Sequence, residues 1–96
     1  MSVVIGDKAT RMQRIRAALA ALAPLQLELI DEGHLHIGHE GARDGRGHFA
    51  LHIVSEAFAG AAPLARHRQV YAALGELMQT DIHALRIHAE VPPAGR

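Results

Sequence analysis

Met12, Ile15, Leu19 and Leu22 recur at helical spacing, with Arg11, Arg14 and Arg16 elsewhere on the surface and Ala filling much of the remainder. This predicts a helix near 10–22. Pro24 disfavours helix at Ala23 and ends the run. The period then changes to two. Leu25, Leu27 and Leu29 alternate with Gln26 and Glu28, the pattern of a half-buried strand near 25–30. Phe49, Leu51 and Ile53 alternate with Ala50, His52 and Val54, which predicts a second strand near 48–54, antiparallel to the first by adjacency. Ser55 to Gly60 reads as a short helical turn capped by Ser55. Pro63 suits the first turn of a helix near 63–79, whose buried face takes Leu64, Val70, Tyr71, Leu74, Leu77 and Met78. A third strand near 82–90 follows Thr80 and Asp81, and Pro92 and Pro93 end the domain.

The order helix, strand, strand, turn, helix, strand joins the second and third strands through a helical crossover. They should therefore be parallel, with a right-handed connection. The expected fold is α/β (α+β), a three-stranded mixed sheet with helices on one face. It forms a single domain over residues 1–96 with its core within about 10–92. Leu19, Leu27, Leu29, Phe49, Leu51, Ile53, Leu74, Leu85 and Ile87 are the expected core. Between the first two strands, Asp31 to Gly47 contains five glycines and little apolar periodicity. Loops this long are usually functional or disordered, and this one is expected to be the least ordered internal segment.

Acidic and basic residues balance at 10 each, against the basic excess of a general nucleic-acid binder. There is no Cys, so the chain offers neither disulfide nor thiolate. The apolar start is too short for a signal peptide and no run approaches a membrane span. The expectation is a soluble, cytoplasmic protein with no membrane partner.

Histidine changes the picture. There are 8 His, and His34, His36 and His39 crowd into the glycine-rich loop. With Glu32 they could gather round one ion, zinc or nickel by ligand type. No enzyme is expected. Neither serine lies in a Gly-x-Ser-x-Gly elbow, and the adjacent carboxylates of Asp31 and Glu32 point apart on an extended chain. Arg66, His67 and Arg68 open the long helix after a helical turn, an outline similar to helix-turn-helix. A true recognition helix usually brings more phosphate-binding cations.

Residues 49–55 (FALHIVS), 58–60 (FAG), 66–71 (RHRQVY), 74–77 (LGEL) and 82–85 (IHAL) follow one another in the order and spacing of the BolA family signature. Asp31 and Glu32, then residues 36–39 (HIGH), resemble the loop of its bacterial members. Those members usually carry Ser where this chain has Gly33. The resemblance runs from about Arg11 to Pro92. It implies a fold related to the type II KH domain, in the element order αββααβ. It also implies a monothiol (CGFS) glutaredoxin partner and a shared [2Fe-2S] cluster used in iron–sulfur trafficking or iron homeostasis. The partner and glutathione would supply thiolates. This chain would supply His83, from the histidine-alanine-leucine motif, and a loop histidine. His36 is the best match, with His34 and His39 as rivals. The isolated chain would need no metal and would be a monomer or weak homodimer. The family also includes members described as transcriptional regulators. The alternative role is therefore a DNA- or RNA-binding transcriptional or morphology regulator using the helix-turn-helix-like region around Arg66 and Arg68, with any nucleic-acid binding expected to be weak. His36 and His83 should share one edge of the domain, both at least partly exposed.

Overall fold

The computed structural model describes residues 8–33 and 47–93. Helix α1 (Lys8–Leu19) continues as a 3-10 turn over Ala20–Leu22. Strands β1 (Gln26–Asp31) and β2 (Gly47–Val54) follow, then a 3-10 turn at Glu56–Phe58. Helices α2 (Pro63–Leu74) and α3 (Leu77–Thr80) lead to β3 (Ile82–Glu90). Among the described residues, no helix is long and apolar enough to cross a membrane.

The sheet order is β1-β2-β3, with β1 antiparallel to β2 and β2 parallel to β3, as the crossover requires. Alternation along β2 sends Phe49, Leu51 and Ile53 into the core. There they meet Ile15 and Leu19 of α1, Val70 and Leu74 of α2, and Phe58 of the intervening turn. Leu27, Leu85 and Ile87 pack on this core but stay partly exposed. They lie on β1 and β3, the two edge strands, which have a neighbour on one side only.

Local chemistry fixes the joints. Ser55 Oγ accepts from Ala57 N–H at 3.0 Å, capping its turn, and donates to the Leu22 carbonyl at 2.5 Å. Pro63 stands in the first turn of α2.

Two expectations need correction. The single helix expected over 63–79 is two helices, because Gly75 adopts φ 55°, ψ −127° and its N–H closes on the Tyr71 carbonyl at 2.9 Å. That conformation is open to glycine and strained for a residue with a β-carbon. Leu64 and Tyr71 are exposed, not core. The stripe turned inward runs through Val70 and Leu74, and Leu64, Arg68 and Tyr71 share the outer face at helical spacing.

Candidate functional site

Asp31 of β1 lies opposite Phe49, and Phe49 beside Leu85 of β3. The end of β1 and the starts of β2 and β3 therefore occupy one end of the sheet. Backbone bonds close it: Glu32 N–H donates to the His48 carbonyl at 2.7 Å, and Gly47 N–H to the Asp81 carbonyl at 2.9 Å. His34, His36 and His39 lie outside the described residues, and with them the expected pairing of His36 with His83. The residues flanking that segment, Gly33 and Gly47, both stand at the His83 end of the sheet.

His83 occupies a special position. Gly47 pairs with Ile82 but His48 pairs with Ala84, so one step along β2 spans two along β3. His83 is the extra residue of a β-bulge, uncommon in a parallel pair and a device that re-aims a side chain. The bulge breaks the alternation: Ile82 is buried, and His83 and Ala84 are both exposed. Gly47 permits the close approach, since a β-carbon there would come within 2.6 Å of the Phe49 ring.

The bulge sets the His83 ring 5.0 Å from that of His48, centroid to centroid, at an interplanar angle of 48°. His48 and His83 are thus neighbouring rings at this end of the sheet. His48 is buried and His83 exposed, so only the latter presents itself at the surface. Sequence reading missed His48, whose polar position in an alternating strand looks solvent-facing.

Asp81, two residues before His83, braces this end against α1. It is 5% exposed. It accepts a hydrogen bond from Arg14 and one from the Thr80 hydroxyl at 2.6 Å, and Arg11 Nε lies 3.4 Å away. Burial alone would raise its carboxyl pKa. The bonds from Thr80 and Arg14 and the charges of Arg14 and Arg11 outweigh burial and hold the pKa below its ordinary value.

The two arginines of the alternative role differ in placement. Arg66 Nε donates to the Ala61 carbonyl at 2.8 Å and Nη1 to the Ala89 carbonyl at 3.0 Å, tying α2 to β3. Arg68 is exposed on the outer face of α2.

A family model described as BolA-like protein matches residues 18–93. The chain belongs to the BolA family. The match begins at Ala18, inside the span of resemblance that opens near Arg11. Among BolA relatives, SufE-like protein 1, chloroplastic/mitochondrial, of Arabidopsis thaliana is 40% identical over 89 residues, 86% of this chain. The chain spans about a quarter of that relative, with 24% of it covered. The DNA-binding transcriptional regulator BolA of Escherichia coli (strain K12) is 39% identical over 77 residues, covering 79% of this chain and 70% of the relative. Among solved structures, the BolA domain of SufE1 from Arabidopsis thaliana superposes with a TM-score of 0.76 at 40% identity, covering 86% of this chain and 93% of that one. The expected BolA architecture, a mixed three-stranded sheet with helices, is the one found.

Proposed function

We propose that this BolA-family chain is an adaptor, not an enzyme, that pairs with a monothiol glutaredoxin and shares a [2Fe-2S] cluster with it and glutathione. The observation that carries the reading is His83, pushed out by the bulge at the sheet end where the glycine-rich segment begins and ends. Its imidazole would be one ligand. The second would be His36, with His34 and His39 as rivals, and His48 joins them on its distance to His83.

A chain without Cys needs thiolates from elsewhere to hold such a cluster. When bound, the cluster would supply one-electron redox chemistry and transferable iron and sulfide. The chain's own part is to present an imidazole at an exposed edge and to aim it through the bulge. Replacing thiolate by imidazole removes negative charge, raises the reduction potential and makes ligation sensitive to protonation near neutral pH. The proposed setting is the cytoplasm, with the free chain a monomer or weak homodimer.

The test is to mix the chain with a monothiol glutaredoxin, iron, sulfide and glutathione. A coloured heterodimer is expected. His83→Ala should stay folded and lose the cluster, and visible circular dichroism of His36→Ala and His48→Ala should identify the second ligand. A heterodimer whose spectrum and lifetime ignore His83→Ala overturns the assignment.

A second reading, nucleic-acid binding in transcription regulation, draws on the name of the Escherichia coli relative, a DNA-binding transcriptional regulator, and on the exposure of Arg68. Gel-shift binding that persists at physiological salt would favour it.

A further inference from the structure

The face of the sheet turned away from the helices carries two more histidines. His52 on β2 and His88 on β3 are register partners, and Glu28 on β1 is the partner of His52. The His52 and His88 rings stack, with centroids 4.7 Å apart and planes 19° from parallel. Both aim at one carboxylate. His52 Nε2 lies 2.7 Å from Glu90 Oε1, and His88 Nε2 lies 3.1 Å from Glu90 Oε2. Glu90 follows His88 by two residues on the same strand, so the two share a face.

We propose that His52, His88 and Glu90 form a binding site for one divalent transition-metal ion of the zinc class. The site is separate from the His83 end of the sheet and does not depend on the cluster reading. His83 and His88 are five residues apart on one strand, roughly 16 Å at about 3.3 Å per residue.

Three observations converge. The first is ligand chemistry. Two imidazoles and one carboxylate are a set that holds zinc-like ions in open sites, whereas magnesium and calcium prefer oxygen donors. The second is distance. One donor atom from each residue lies within 4.8 Å of the others, and tetrahedral ligation at ~2.1 Å asks for donor separations of about 3.4 Å. The side chains of His88 and Glu90, 67% and 44% exposed, are free to close that gap by side-chain rotation. His52, 31% exposed, sits on the central strand and supplies the fixed point. The third is charge. Glu90 is the acidic member of the set, and the Nε2 atoms of both histidines lie within 3.1 Å of its carboxylate oxygens. Arg86, on the same face, directs its guanidinium to Glu32 instead, with Nε 3.1 Å and Nη2 2.5 Å from the carboxylate oxygens.

His52 and His88 also help to line a groove of about 210 Å³, with Glu28, Ile30 and Ala50 in its wall. Water would complete the shell, as in open sites with three protein ligands. The backbone positions of the ligands, on adjacent strands of one sheet, are fixed before the ion arrives, so binding orders only their side chains.

The experiment uses the full chain with ¹⁵N-labelled histidine, titrated with Zn²⁺ and followed by NMR of the ring nitrogens. Co²⁺ serves as a visible-absorption probe of geometry. The expected result is one equivalent that shifts the His52 and His88 Nε2 signals together. Binding persists in His83→Ala and weakens at least tenfold in Glu90→Gln. That variant should still assemble a cluster with a glutaredoxin, which keeps this site and the His83 reading distinguishable. His52→Ala should also lose binding. Should it fail to fold, Glu90→Gln, altered at a partly exposed side chain, decides the matter. Zinc that shifts other histidines and leaves His52 and His88 unmoved, or that binds Glu90→Gln as tightly as the parent, overturns the proposal.

Discussion

Ala23 ends the first helical segment at φ 49°, ψ 54°, with its N–H on the Ala20 carbonyl at 2.9 Å. A β-carbon in that left-handed conformation costs roughly 1–2 kcal/mol. Ala23→Gly should remove the strain, while greater freedom in the unfolded chain offsets about 0.5 kcal/mol of the gain. The expected outcome is a higher urea midpoint at unchanged m, corresponding to about 0.5–1.5 kcal/mol of added stability. Asp81 is the opposite case, a residue whose removal leaves cations behind. Asp81→Asn should cost about 2–3 kcal/mol near pH 7, because Arg11 and Arg14 lose the carboxylate they face. The sign with pH follows from a folded pKa held below the unfolded one. The contribution is complete above the unfolded carboxyl range and is lost as pH falls through the folded value. Parent and variant should therefore converge in stability on acidification below about pH 4. A difference that stays constant down to pH 2 would show that the carboxylate charge is not the cause.

At the scale of elements, the break between α2 and α3 rests on Gly75. Gly75→Ala should destabilise by about 1–3 kcal/mol, read as a lower thermal midpoint. An unchanged midpoint would mean that the two helices fuse at no cost. The break was hidden in the sequence because Leu74, Leu77 and Met78 keep helical spacing across it, and one glycine in a helical pattern costs only about 1 kcal/mol. The elements themselves were legible, since period 3.6 and period 2 alternate cleanly and the helical crossover dictates parallel pairing of β2 and β3. The β-bulge left a trace that went unread. Ile82 and Leu85 both pack inward although they are an odd number of residues apart, which strict alternation forbids. His48 was illegible for the same reason, as its proximity to His83 depends on the bulge. Leu64 and Tyr71 misled because they form a helical apolar pattern of their own, and only the position of the sheet decides which stripe is covered. His52, His88 and Glu90 could not be grouped from the sequence, because their meeting depends on the register between β2 and β3.

At the scale of the whole molecule, charge weighs against the nucleic-acid role. The chain has no formal net charge with neutral histidine, and among the described residues several cations already face internal acceptors. Arg11 and Arg14 meet Asp81, Arg86 meets Glu32, and Arg66 donates to two backbone carbonyls. Nucleic-acid affinity comes largely from counterions released by cations that reach phosphates, and its logarithm falls with the logarithm of salt by about 0.9 per phosphate neutralised. With four of the ten cations so engaged and no net charge, duplex DNA should bind weakly, with a shallow log–log salt slope. Arg68→Ala should make that slope shallower by about 1 if the outer face of α2 carries the contact, and should leave cluster assembly with a glutaredoxin unchanged. Arg66→Ala should instead lower stability, since it unties α2 from the end of β3. Fluorescence anisotropy across a salt series measures the slope, and thermal melting separates the two arginines. Nanomolar binding to one defined duplex at physiological salt would reverse the order of the two roles. The energy would then have to come from base or shape recognition, which Arg68 alone could not supply.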